Sequence, residues 1–184
     1  MKYHFSIILF LFAAIASHAQ PAAKKIAVTV KGGVCSMGKI NISGNWMLDP
    51  VTKKLGKAER IRGGYNTTHT YDNYGIVLFE KNDTGNLPAG ILSELQFYFG
   101  TVDSNAVRPT GLFVGTMQIE KASISSSITP AALKDQLKDY VESESYMPHN
   151  FRLAYQGIYL YFLFNTEETA LLKVSVGKES KKMP

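Results

Sequence analysis

His69 and Asp72 stand three residues apart beside Tyr71, a spacing from which an acid and base pair or two metal ligands can be drawn. A transition metal site takes about three or four His, Cys or carboxylate donors. Past the N-terminal stretch the only other histidine is His149, in a polar turn after Pro148, and neither an HExxH motif nor paired cysteines occur. Asp72 therefore reads as a turn-capping residue, and no metal is expected. Cys35 would need a nearby base to become a nucleophile, and with none in the local sequence it reads as a small buried apolar residue. The serines between Ser123 and Ser127 lack a Gly-Xaa-Ser-Xaa-Gly elbow. The glycine pairs at Gly32 and Gly63 lack the spacing and the lysine of a phosphate loop. With no catalytic signature and no cofactor motif, the expectation is a protein that is not an enzyme.

Contact chemistry is the remaining class. Lys53, Lys54, Lys57, Arg60 and Arg62 form the nearest approach to a basic cluster, diluted by Asp49 and Glu59. Arg60, Arg62, Tyr71, Asp72 and the lone Trp46 are the candidate binding surface. Nucleic acid would call for a denser basic face with interleaved aromatics, and it is not an expected partner.

The N-terminus carries Lys2, an apolar run from Phe5 to Ile15, and then Ser17, His18 and Ala19, the order of a secretory signal peptide spanning 1–19. The run is shorter than the roughly 20 residues of a membrane helix, so a soluble exported product without a membrane anchor is expected, in the periplasm or outside the cell. Gln20 stands where a lipoprotein would have Cys. Loss of Lys2 takes the formal charge from +5 to +4. A single cysteine forms no internal disulfide, so the fold must rest on its hydrophobic core. At 45% apolar residues the length suits one domain over 20–178, followed by a basic tail at 179–184.

The elements that must position these residues are mostly strands. Ile26 to Val30 and Lys39 to Ser43 alternate apolar and polar residues, Ile76 to Glu80 is an apolar run, and Ile91 to Phe99 sets Glu94, Gln96 and Tyr98 among Leu95, Phe97 and Phe99. Leu112 to Ile119 is extended, with a small hairpin arm to Ile124. Phe151 to Tyr155, Ile158 to Phe164 and Leu171 to Val176 close the sheet as antiparallel strands. The segment Leu55 to Phe79 reads as the middle of the sheet. Asp49 and Pro50 suggest the N-cap and first turn of a short helix over about 50–55, ended by Gly56. Thr129 and Pro130 open the clearest helix, about 130–142, with Leu133, Leu137, Tyr140 and Val141 on one stripe. The class is α+β, a mainly antiparallel sheet with both helices packed on it.

Leu55 Gly56 to Arg60, Tyr71 Asp72 with Gly75 Ile76, Phe97 Tyr98 Phe99, and Phe113 Val114 Gly115 together resemble a bacterial exported domain family of unknown function, over roughly Ile26 to Ile124. Members commonly carry Trp where this chain has Tyr71. The resemblance implies a shared fold and no particular activity. Gly44 Asn45 Trp46 also resembles the lipocalin signature, which implies a closed barrel around a small apolar ligand. Against it stand the helix signals directly after Trp46. The leading expectation is a non-catalytic binding domain whose partner is a protein or a cell-envelope component, with a lipocalin-like carrier as the alternative.

Overall fold

The computed structural model describes residues 23–44, 46–82, 89–102, 107–143 and 148–179. The expected signal peptide, most of the Lys81–Asn86 loop, the middle of the Val102–Arg108 loop and the end of the basic tail lie outside the described residues. No helix among the described residues is long and apolar enough to cross a membrane.

Thirteen strands and two helices are described, in the order β1 (Ala27–Lys31), β2 (Val34–Met37), β3 (Ile40–Asn41), α1 (Leu48–Leu55), β4 (Arg60–Arg62), β5 (Asn66–Tyr71), β6 (Ile76–Lys81), β7 (Leu92–Tyr98), β8 (Thr116–Ile119), β9 (Ala122–Ile124), α2 (Pro130–Gln136), β10 (Val141–Ser143), β11 (Asn150–Tyr155), β12 (Ile158–Phe164) and β13 (Leu171–Lys178). The α+β class with antiparallel strands dominating is as read from the sequence. The strands divide into two sheets. A five-stranded sheet runs β3-β2-β1-β8-β9, and an eight-stranded sheet runs β10-β11-β12-β13-β7-β6-β5-β4. Every pair is antiparallel except β1 with β8. Among the described residues neither sheet pairs its two edges, so the closed barrel of the lipocalin alternative is not formed.

Three local expectations are corrected. Leu55 to Phe79 does not run through the middle of the large sheet but outwards from β6 to the edge strand β4, while the centre belongs to β13 and β7. That centre joins strands far apart in sequence, a pairing that alternation cannot foresee. The helix expected over 130–142 stops at Gln136. Thr129 caps it as expected, its hydroxyl accepting from the Ala132 N–H. Val141 to Ser143 instead pairs with β11, and Leu137 and Tyr140 stay buried in the turn between. The short helix begins earlier than expected, with Met47 rather than Asp49 at its cap. Tertiary bonds set that start, because the Leu48 N–H donates to Gly90 O and Met47 bridges to Ile91. Asp49 sits in the first turn and pairs with Lys53 at 2.7 Å.

One contiguous core joins both sheets and both helices. It includes Val28, Val30, Cys35 and Met37 from the small sheet, Val51 and Leu55 from α1, Leu133 from α2, and Leu78, Leu95, Phe97, Leu160, Phe162, Val174 and Val176 from the large sheet. Phe113 lies edge-on to Phe97 at 5.4 Å and to Phe99 at 5.3 Å, a geometry that adds to its area burial. The backbone of Leu112 and Phe113 passes directly against Gly75, which has a φ of 67° and no room for a Cβ. Here the chain needs glycine for both its turn and its closeness.

Candidate functional site: the outer face of the large sheet

Side chains alternate between the faces of a strand, so the pairing register lays two kinds of row across the large sheet. One row runs His69, Leu78, Leu95, Val176, Leu160, Leu153 from β5 to β11, and from Leu78 onwards it is the core. The adjacent row runs Arg60, Thr70, Val77, Gln96, Ser175, Tyr161, Arg152 from β4 to β11, and it faces away from the core. Such a face is ordinarily solvated on an antiparallel sheet. Here Gln96 is only 9% exposed and Ser175 1%, because aromatic and cationic side chains lie over them.

That layer is hydrogen-bonded and stacked. The Tyr98 hydroxyl donates to Gln96 Oε1 at 2.6 Å, Gln96 Nε2 donates to Glu94 Oε1 at 2.7 Å, and the Tyr159 hydroxyl donates to Glu94 Oε2 at 2.9 Å. Lys173 Nζ lies 5.9 Å from the ring centroids of both Tyr98 and Tyr161, and the Arg152 guanidinium lies 5.2 Å from that of Tyr159, within cation–π range. Burial, helped by the Glu94 charge, pushes the Tyr98 phenol up to about 12 and moves Tyr159 and Tyr161 in the same direction. Burial pushes the Lys173 ammonium down, against the pull of Glu94. Beneath the layer, Ser175 Oγ and Asn150 Oδ1 are buried with no hydrogen-bond partner among the described residues. Both belong to the outer face, since Asn150 pairs across to Leu163 and Leu163 to Lys173. Buried oxygens without partners are uncommon and costly.

Tyr98 links the layer to an open cavity of about 410 Å³ lined also by Arg60, Thr101, Arg108, Thr110 and Leu112. The cavity wall is braced by an ion pair. Arg60 Nε and Nη2 donate to both oxygens of Asp72 at 2.8 and 2.7 Å, Arg60 Nη2 also donates to Arg108 O, and the Thr110 N–H donates to Asp72 Oδ1. Burial raises the Asp72 carboxyl, but the Arg60 bonds and the Thr110 N–H outweigh it and hold the carboxyl below its usual range. The same pair raises Arg60.

Of the residues singled out in the sequence, Arg60 and Asp72 are therefore brought together, and Arg62 lies exposed two residues along the edge strand. Tyr71 and Trp46 are corrected as surface residues. Tyr71 is fully buried with its hydroxyl donating to Gly56 O, and Trp46 is buried beside α1. An apolar ring at either place stabilises more against the core than in water. His69 and Asp72 do not meet. His69 Nε2 lies 2.8 Å from Glu80 Oε2, and His149 Nδ1 lies 3.2 Å from Glu168 Oε1. The described residues hold no group of three or more His, Cys, Asp or Glu able to grip a metal. Burial pushes the Cys35 thiol up to about 12, which suits an inert buried side chain.

The outer-face residues Arg152, Tyr159, Tyr161, Lys173 and Ser175 were missed. Alternation did mark Glu94, Gln96 and Tyr98, and Tyr159 and Tyr161 follow the same period within the apolar run Ile158 to Phe164. That run reads as wholly apolar only if tyrosine is counted as core.

A family model described as a domain of unknown function, DUF7738, matches residues 28–134. The match takes in β4 to β7, with Arg60, Asp72 and Tyr98, and ends before β10 to β13. No curated protein matches the chain. Among solved structures, the chain is similar to a DUF4309 family protein (YjgB) from Bacillus subtilis subsp. subtilis str. 168, at 16% identity and a TM-score of 0.41, with 72% of this chain and 78% of that one covered. It is also similar to a cysteine-rich secretory protein (SAV1118) from Staphylococcus aureus subsp. aureus Mu50, at 9% identity and a TM-score of 0.42. That match takes in 74% of this chain and spans 44% of the length of the other.

Proposed function

We propose that this chain, which belongs to the DUF7738 family of domains of unknown function, is an exported, non-catalytic binding domain that holds a cell-envelope component on the outer face of its large sheet. One observation carries the reading. The face turned away from the core bears a layer of half-buried Tyr159, Tyr161, Lys173 and Arg152 beside the buried Tyr98, over two buried oxygens that lack hydrogen-bond partners among the described residues. Rings and cations on a rigid sheet suit recognition, since ordered aromatic side chains lose little entropy on binding. The cavity between Arg60 and Arg108 extends this surface at the Tyr98 end. Export rests on the N-terminal pattern, and residues 20–178 act as one unit in this proposal.

The test is native mass spectrometry of the protein purified from its own host, beside Lys173→Glu and the double variant Arg60→Glu/Arg62→Glu. A component retained by the wild type and lost from folded Lys173→Glu supports the reading. Equal retention by all three proteins, or no retained component in any, removes the outer face as the binding surface.

A further inference from the structure

The geometry points to an acidic saccharide, a chain of sugar rings bearing carboxylates, as the ligand of the outer face. The inference rests on the binding reading above and adds the chemistry of the ligand.

Charge gives the first argument. Among the described residues Lys173 touches two rings and forms no ion pair, while Arg152 lies two strands further out on β11 and Arg108 lines the cavity at the other end, beside the Arg60 and Asp72 pair. The carboxylates nearby are already engaged, Glu94 by Gln96 and Tyr159 and Asp72 by Arg60 and Thr110. An ammonium held by rings, whose one interacting carboxylate, Glu94, is hydrogen-bonded by Gln96 and Tyr159 and forms no ion pair with it, is complementary to an anion, and a carboxylate there gains charge-assisted hydrogen bonds.

The second argument is the kind of contact offered. Ser175 Oγ and Asn150 Oδ1, both more than nine-tenths buried, lack hydrogen-bond partners among the described residues, and a sugar hydroxyl inserted between the rings can donate to either oxygen and accept from the Ser175 hydroxyl. The half-buried rings of Tyr159 and Tyr161 offer flat apolar surface to the C–H faces of sugar rings. From β7 to β11 the face spans three strand spacings, about 14 Å, which is room for several rings and too wide for one. A peptide strand would gain most from backbone pairing at a free sheet edge, and these residues stand on the inner strands of the sheet.

The test uses the hexamer of galacturonic acid as probe, with cellohexaose as its neutral counterpart and polyglutamate as an acidic peptide. Calorimetry is expected to show the galacturonate hexamer binding at least tenfold more tightly than either control, and more weakly as salt rises. Lys173→Met and Tyr161→Ala, each checked for a native melting transition, are expected to lower that affinity at least tenfold. Wild-type protein needs no folding control. Its amide resonances should shift in β7, β12 and β13 and stay in place in β1, β2 and β8. Equal binding of cellohexaose removes the acidic part of the inference, and equal binding of polyglutamate replaces the saccharide with a peptide. No binding of the hexamer overturns the ligand class. If Lys173→Glu still loses an envelope component in the host experiment, the binding face survives that result. If it does not, both readings fall together.

Discussion

The two faces of the large sheet are built by the same strands and differ at every step. Towards the core, Tyr71, Ile76, Phe97, Val174 and Phe162 stand side by side across five strands, and all are fully buried. On the other side, Thr70, Val77, Gln96, Ser175 and Tyr161 occupy the same strands one residue away. The first row is apolar but for one phenol and gains stability from area removed from water. The second row is also largely withdrawn from water, yet it carries polar groups, and on this face Ser175 Oγ and, one row along, Asn150 Oδ1 find no hydrogen-bond partner among the described residues. A polar layer buried at this cost argues for a use other than stability.

The sharpest way to break the comparison is within one strand. Phe162→Ala leaves a core cavity and is expected to lower unfolding stability by about 3–5 kcal/mol. Tyr161→Ala, on the opposite face of β12, should cost less than half as much, with urea denaturation as the measurement. Equal losses would make the outer layer a second core. Gly177→Ala comes next. A Cβ there runs into the Tyr159 ring, so the ring must leave Glu94, at about 1–3 kcal/mol of strain. Ultraviolet titration should then find the Tyr159 phenol ionising closer to its ordinary value of about 10.

Alkaline pH acts on both faces in one direction. Tyr71 and Tyr98 both have phenols pushed to about 12 by burial. Above about pH 10 the unfolded chain loses these protons and the folded chain keeps them. Their contribution is full below that point and is lost as pH rises towards 12. Tyr98→Phe is expected to flatten this fall in thermal melts without changing the melting temperature at pH 7 by more than a few degrees. Asp72 acts at the acid end. Its carboxyl is lowered in the folded state, so the stability it contributes is present above about pH 4 and lost as pH falls through the folded value. Asp72→Asn should remove that part of the acid slope while costing about 1 kcal/mol or less at pH 7, since Arg60 is substantially exposed. The smallest effect is expected from Arg62→Glu on the exposed edge, within about 0.5 kcal/mol of wild type.

Much of the fold was legible in local pattern. Alternation in Ile26 to Val30 and in Ile91 to Phe99, the Gln156 Gly157 turn, and the Thr129 Pro130 helix start all stand where residue types and spacing put them. The end of α2 was not legible, because an apolar stripe at helical spacing serves equally well in a turn when the next residues pair with β11. Half of the Arg60 and Asp72 cluster could be suspected from their closeness in sequence. Their partners Arg108 and Thr110, some forty residues on, could not.

Residue order was sufficient for the α+β class, for which strand residues alternate with one another, and for setting aside the familiar catalytic motifs. These follow from periodicity and local backbone preference, which act within a few residues. The meeting of β7 with β13, the order of strands in the large sheet, and the stacking of Lys173 between Tyr98 and Tyr161 belong to the folded chain alone. They depend on register between segments about eighty residues apart, where a shift of one residue would exchange the two faces. That register is set by burying one apolar row as a whole rather than by any local signal.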